Sequence, residues 1–311
     1  MLHKIYRYFL PLRGSGFSGD GRQKIRSDQM KQINSYFPNQ TFIDNFPELL
    51  KCNEQMINVA GKLDIGEILK QYHDSIKNWS HYGTPVKNLS DWADSKGNSW
   101  PKLHPLHQLM CDMIIKLNPS SVCEIGAGAG IVAKYVYASM NNKIDLTCVE
   151  GCSEHLELMK NNFAICKDDS LSIKPNINVK AKIISGIAQN IPLKENEIDL
   201  LYTITLQVHI PFVAAVLACC EYARVSKKYI IHIEGHHADG VASSNLVYGW
   251  RRLLSTWFPR LRPLLRSKYD GLLIDYTSLY NLLGFKTIKK TIMRDPYSKD
   301  YDYIVFVAEK L

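Results

Sequence analysis

From residue 103 onward the chain switches between two hydrophobic periods. LHPLHQLMCDMIIKL (103–117), IVAKYVYASM (131–140), SEHLELMKNNF (153–163), FVAAVLACCEYARV (212–225) and DYTSLYNLLG (275–284) place apolar residues at helical spacing. Between them SVCEIG (121–126), IDLTCVE (144–150), VKAKIISG (179–186), EIDLLYTIT (197–205) and KKYIIHIE (227–234) are short, nearly continuous apolar runs. Such runs alternating with helices predict a parallel sheet covered on both faces, an α/β doubly wound fold. The chain closes with FKTIKKTI (285–292) and YDYIVFVAEK (301–310), separated only by RDPYSKD. So short a turn leaves no room for a crossover, so the last strand is expected to run antiparallel to its neighbours.

The remainder of the chain is organised differently. Residues 28–102 hold helix-compatible pieces such as FPELLKCNEQMINVAGKL and IGEILKQYHDSIKNW, broken by Pro, Gly and Asn, and predict a helical N-terminal layer. Residues 1–27 include GSGFSGDGRQ, a Gly- and Ser-rich stretch that reads as a flexible basic connection. Within the α/β domain of 103–311, residues 244–268 interrupt the step from the fifth strand to the next helix and read as an insertion.

Charge sharpens this picture. The net +8 is concentrated in two places, with a balance of +5 over 1–27 and +6 over 250–268. The rest of the chain is slightly acidic, so attraction for phosphate, anionic lipid or RNA is expected from those two stretches. Eight cysteines fall mostly inside apolar runs and without CxxC spacing, which reads as buried, reduced thiols. No apolar stretch approaches the roughly 18–20 residues of a membrane span, and MLHKIYRYFLPLRG lacks an apolar signal core, so the cytoplasm is the expected compartment.

VCEIGAGAG (122–130) carries the candidate chemistry. It delivers a strand end into a helix start through Gly126, Gly128 and Gly130, as a nucleotide site requires. The spacing is GxGxG, whereas the dinucleotide fingerprint is GxGxxG. Glu124 lies two places before the first glycine, where a carboxylate repels a pyrophosphate and suits a cationic amino group.

Here the chain resembles the class I S-adenosylmethionine-dependent methyltransferases, whose first motif is an acidic residue, any residue, then GxGxG. The resemblance covers about 103–311 and implies that the helical region 28–102 and the insertion 244–268 cover the substrate as a lid. It implies a Rossmann-like, seven-stranded, mostly parallel sheet. It further implies that Gly126, Ala127, Gly128 and Gly130 lie along the methionine part of S-adenosylmethionine, with Glu124 acting on its ammonium group directly or through the loop. Glu150, followed by Gly151 and twenty residues after Gly130, matches the acidic residue that takes both ribose hydroxyls. SGIAQNIPLKENEIDLLYT (185–203) matches the family's adenine segment, with Ile187 standing where many members carry Asp. Ile187 and Ala188 are then expected to serve the adenine by backbone and apolar contact, and Thr203 joins the cofactor residues.

Methyl transfer to a hydroxyl needs a positioned base. His209 in LQVHIP, and His236 and His237 in IEGHHAD, fall where loops after the fourth and fifth strands are expected. Glu234, His236, His237 and Asp239 also make a weak divalent-metal pattern, and no metal is assigned from it. His232, inside a strand, reads as a core histidine, and His104 and His107 as a capped, packed helix start. The leading expectation is methylation of an oxygen, less so a nitrogen, of a small molecule or glycan. The alternatives are an RNA methyltransferase using the basic stretches and a non-catalytic scaffold that binds the cofactor.

Overall fold

The computed structural model describes residues 104–164, 177–207, 210, 212–236, 276–294 and 302–311. The expectations for 1–27, 28–102 and 244–268, and for His209, His237 and Asp239, lie outside these residues.

Helix α1 (Pro105–Leu117) starts where Pro105 fixes φ for the first turn and His104 caps it, its Nδ1 accepting from the Leu106 N–H. It ends at Asn118, whose φ of 46° is left-handed. Its stripe Leu106, Met110, Met113 and Ile114 is buried. Strand β1 (Ser121–Ile125) follows, then α2 (Ile131–Ser139), β2 (Asp145–Glu150), α3 (Ser153–Phe163) and β3 (Ala181–Ser185). The second half adds β4 (Ile198–Ile204), α4 (Phe212–Val225), β5 (Ser226–His236), α5 (Tyr276–Leu282), β6 (Phe285–Arg294) and β7 (Asp302–Lys310).

The seven strands form one sheet in the order β3-β2-β1-β4-β5-β7-β6. The ladders from β3 through β5 are parallel, and β7 pairs antiparallel with both β5 and β6. This is a doubly wound, Rossmann-like sheet with an antiparallel last strand. One core packs α1, α2 and α3 residues such as Met110, Ala133 and Met159 against Leu146, Leu200 and Ile231. The other packs α4 and α5 against Ile125, Leu201 and Ile230. α4 is enclosed almost throughout, which explains its apolar run Ala214 to Cys220. The six described cysteines are all buried. Among the described residues no helix is long and apolar enough to cross a membrane.

Strand ends differ from the periodicity in several places, two of which have a visible cause. β3 begins at Ala181 because the Val179 N–H donates to the Phe163 carbonyl at the end of α3 instead of joining the ladder. β5 runs on to His236, because Gly235 and His236 pair with Tyr303 and Asp302 of β7.

Candidate functional site

In an open α/β sheet ligands bind outside the carboxyl ends of the strands, where the strand order reverses. Here that point lies between β1 and β4, whose following loops meet. Gly126, Gly128 and Gly130 have φ of 69°, 55° and 76°, a left-handed run that residues with a Cβ resist. The three glycines do different work. A Cβ on Gly126 would sit 2.5 Å from Leu206 Cδ1, and one on Gly130 would sit 2.6 Å from Met159 Cγ and Phe163 Cε1. Those two make room for packing. A Cβ on Gly128 would meet nothing within 4 Å, so Gly128 alone leaves an open cradle.

The loop's amides are already engaged. Gly126 and Ala127 donate to the Val149 carbonyl at 2.8 and 3.2 Å, and Gly130 donates to the Ala127 carbonyl at 2.9 Å. The Gly128 N–H donates to Glu150 Oε2 at 2.7 Å, while Glu150 Oε1 accepts from the Cys152 N–H at 2.9 Å. A phosphate cradle needs amides aimed outward at an anion, and these point inward. Burial works to raise the Glu150 pKa, but His155 and the two amides outweigh it and hold the carboxyl below its ordinary value. Glu150 is therefore ionised at the rim of the cradle. A carboxylate has about four lone-pair sites, so two engaged amides leave acceptor capacity for a diol.

Glu124 corrects the argument from charge. Its carboxyl is enclosed, accepts from the Tyr202 hydroxyl at 2.9 Å and faces the backbone N–H of Ala133 in the first turn of α2. Burial pushes its pKa up to about 8, against the lowering by Tyr202 and Ala133, so at neutral pH it is mostly uncharged. It cannot repel a pyrophosphate by charge. It lies behind the loop, tying β1 to β4 and to the start of α2.

Gly151 is half-buried at the end of β2, and the Ala127 side chain is buried. The turn bearing Ile187 and Ala188 is brought to the same rim, because the Gly186 N–H donates to the Glu150 carbonyl at 3.0 Å. Ile187 is partly buried and pairs with Asn190, and Ala188 is buried at 7% exposure. Arg224 clamps this segment to α4 by donating to the Ile191 and Leu193 carbonyls and to Glu221.

Thr203 is not at the rim. It is wholly buried, donating its hydroxyl to Glu234 Oε1 at 2.6 Å with His232 Nδ1 at 2.7 Å. Its place among cofactor-contacting residues is corrected to an internal one. His232 is the core histidine expected, its Nε2 2.6 Å from the Tyr280 hydroxyl and its pKa lowered by burial to about 3. Glu234 is also enclosed, accepting from Thr203 and from the Leu206 and Gln207 amides, so it has no face turned to a metal. No group of acidic, His or Cys side chains among the described residues is arranged to hold one. His236 is the last residue of β5, in register with Asp302, instead of lying on a loop beyond it.

Sequence reading missed several of these partners. Tyr202 is the cross-strand neighbour of Glu124, a pairing that needs the β1–β4 register to be known. Asn162 donates from its side chain to the Ala129 carbonyl at 2.7 Å, and its own carbonyl accepts from buried Lys134 at 2.6 Å, bracing the loop from α3. Nothing in their spacing signals it.

No protein-family model matches the chain, and no curated protein matches it in sequence. Among solved structures, magnesium protoporphyrin IX methyltransferase from Synechocystis PCC 6803 is similar with a TM-score of 0.47 and 11% identity, over 73% of this chain and 97% of that one. A SAM-dependent methyltransferase from Methanosarcina mazei aligns with a TM-score of 0.44 and 15% identity, over 61% and 92%. Geranyl diphosphate C-methyltransferase from Streptomyces coelicolor A3(2) gives 0.42 and 9%, over 66% and 80%. Likenesses this distant say nothing about the reaction.

Proposed function

We propose that this chain is an S-adenosylmethionine-dependent methyltransferase acting on an oxygen, less readily a nitrogen, of a small molecule or glycan. One observation carries the reading: the glycine loop keeps its amides for itself, while its one open glycine, Gly128, is tied to an ionised Glu150. That combination is poor for a pyrophosphate and suited to a nucleoside whose ribose presents two hydroxyls and whose chain carries no phosphate. The residues therefore fit the cofactor that the sequence resemblance implies.

When bound, S-adenosylmethionine supplies an electrophilic methyl on a sulfonium sulfur. Gly128 would give it room against the backbone, Glu150 would accept from the ribose hydroxyls, and the turn at Ile187 and Ala188 would border the adenine. His209, His236 and His237 are the candidates to take the acceptor's proton, since in the sequence His209 follows β4, and His236 and His237 stand at and just after the end of β5. S-adenosylhomocysteine at saturating concentration is expected to raise the melting temperature by several degrees. No shift at 100 times a typical cofactor concentration would sink the proposal. A screen with labelled cofactor against small-molecule, glycan and RNA pools then identifies the acceptor.

A further inference from the structure

Glu234 sits where the loop after β4 turns back over the sheet. Thr205 adopts φ of 51°, uncommon for a residue with a branched side chain, and its N–H donates to the Ile233 carbonyl at 2.9 Å. The next two amides are gathered by one carboxylate, Leu206 N–H at 3.3 Å to Oε1 and Gln207 N–H at 2.9 Å to Oε2. Gln207 is fixed in turn, its Oε1 accepting from the Tyr276 hydroxyl of α5 at 2.7 Å. The consequence is the placement of Leu206. Its side chain lies against Gly126, close enough that a Cβ there would be 2.5 Å from Leu206 Cδ1, and it is only partly buried. Leu206 thus walls the crevice between β1 and β4 beside the open cradle at Gly128.

We propose that Glu234 is a positioning residue which, by gripping the loop Thr205–Gln207 from below, holds Leu206 as the wall of the cofactor crevice and so sets cofactor affinity without touching the cofactor. This rests on the reading that the crevice takes S-adenosylmethionine. The role is separate from a metal site, because the carboxylate oxygens are spent on Thr203, Leu206 and Gln207. Glu234→Gln keeps the size of the side chain. It also keeps one carbonyl oxygen for the Gln207 amide, and Thr203 can reverse its hydroxyl toward His232 to accept from the new amide. The Leu206 N–H is then the donor left without an acceptor.

The test is calorimetric titration of the full chain with S-adenosylhomocysteine at 25 °C for the native protein, Glu234→Gln, Leu206→Ala and the double variant. Leu206→Ala is expected to weaken binding roughly tenfold and Glu234→Gln roughly fivefold. Because Glu234 acts through Leu206, the double variant is expected within about twofold of Leu206→Ala. A Glu234 that serves folding alone would lower Tm and leave the affinity of the folded protein unchanged. Binding by Glu234→Gln within twofold of native, or multiplication of the two single effects in the double variant, overturns the proposal. Should Glu234→Gln not fold, Glu234→Asp, which withdraws the carboxylate by one methylene, takes its place in the same cycle with the same criteria. Failure of the native chain to bind at all refutes the cofactor assignment instead, so the two outcomes are distinct.

Discussion

Gly128→Ala separates ligand binding from folding, because Gly128 is the one glycine of its loop with empty space where a Cβ would go. An alanine forced to φ of 55° costs about 1–2 kcal/mol relative to its preferred conformations. Loss of glycine's freedom in the unfolded chain offsets about 0.4–1 kcal/mol of that. The net is about 1 kcal/mol, a drop in Tm of roughly 2–4 °C for a domain of this size. Binding suffers more, since the new methyl projects into the cradle and overfilling a fitted site costs about 1–3 kcal/mol, a weakening of roughly fivefold to 150-fold. Gly130→Ala provides the contrast. Its Cβ would fall 2.6 Å from Met159 and Phe163 side-chain carbons, so folding is expected to take the larger loss. Differential scanning fluorimetry and calorimetric titration with S-adenosylhomocysteine measure both quantities on each variant. If Gly128→Ala binds within twofold of native, the cradle is not where the ligand meets the backbone and the reasoning fails.

Three further outcomes follow from the same geometry. Glu150→Ala removes the ionised acceptor and frees the Gly128 and Cys152 amides, so cofactor affinity is expected to fall roughly tenfold to a hundredfold by calorimetry, and an unchanged Kd refutes the ribose role. Glu124 keeps its proton to about pH 8 when folded, against an ordinary carboxyl value of 4.5. The native state therefore binds more protons across that window, and stability falls as pH rises through it. Thermal melts from pH 5 to 8.5 should show the fall, and Glu124→Gln should reduce its slope; an unaltered slope refutes the assignment. Tyr202→Phe strips Glu124 of its one side-chain donor and is expected to lower stability by about 1–2 kcal/mol in urea titrations, where an unchanged midpoint counts against the pair.

Hydrophobic period located the strands of the sheet and the helices from α1 to α5, most cleanly in β1, β2 and β4, which are buried almost throughout and leave few polar positions to blur the run. Phe212–Val225 is a case where prediction and structure coincide residue for residue. Register was not legible. Glu124 opposite Tyr202 and Thr203 opposite His232 are set by how β4 lies between β1 and β5, and neither pair is near in sequence. For the same reason Thr203, expected among the cofactor residues, lies inside. Burial was equally hidden: Glu234 reads as a strand-end carboxylate, and only the returning loop shows that its oxygens are consumed.

The glycine loop shows how a sound conclusion can rest on the wrong force. From sequence, Glu124 argued against a dinucleotide by its charge, yet the enclosed carboxyl is mostly neutral near pH 7. The same residue argues the point by geometry, because it faces the Ala133 amide at the start of α2, one of the donors a pyrophosphate would require. The bonds of Gly126, Ala127, Gly128 and Gly130 within the protein occupy four more amides of the loop. What the loop presents outward is therefore empty space at Gly128 with a carboxylate beside it, and the carboxylate's charge, unlike that of Glu124, survives because two amides and His155 stabilise it. A ligand that offers hydroxyl donors to Glu150 and a phosphate-free chain to the backbone fits this place, which is the ground on which a sulfonium nucleoside is proposed for it.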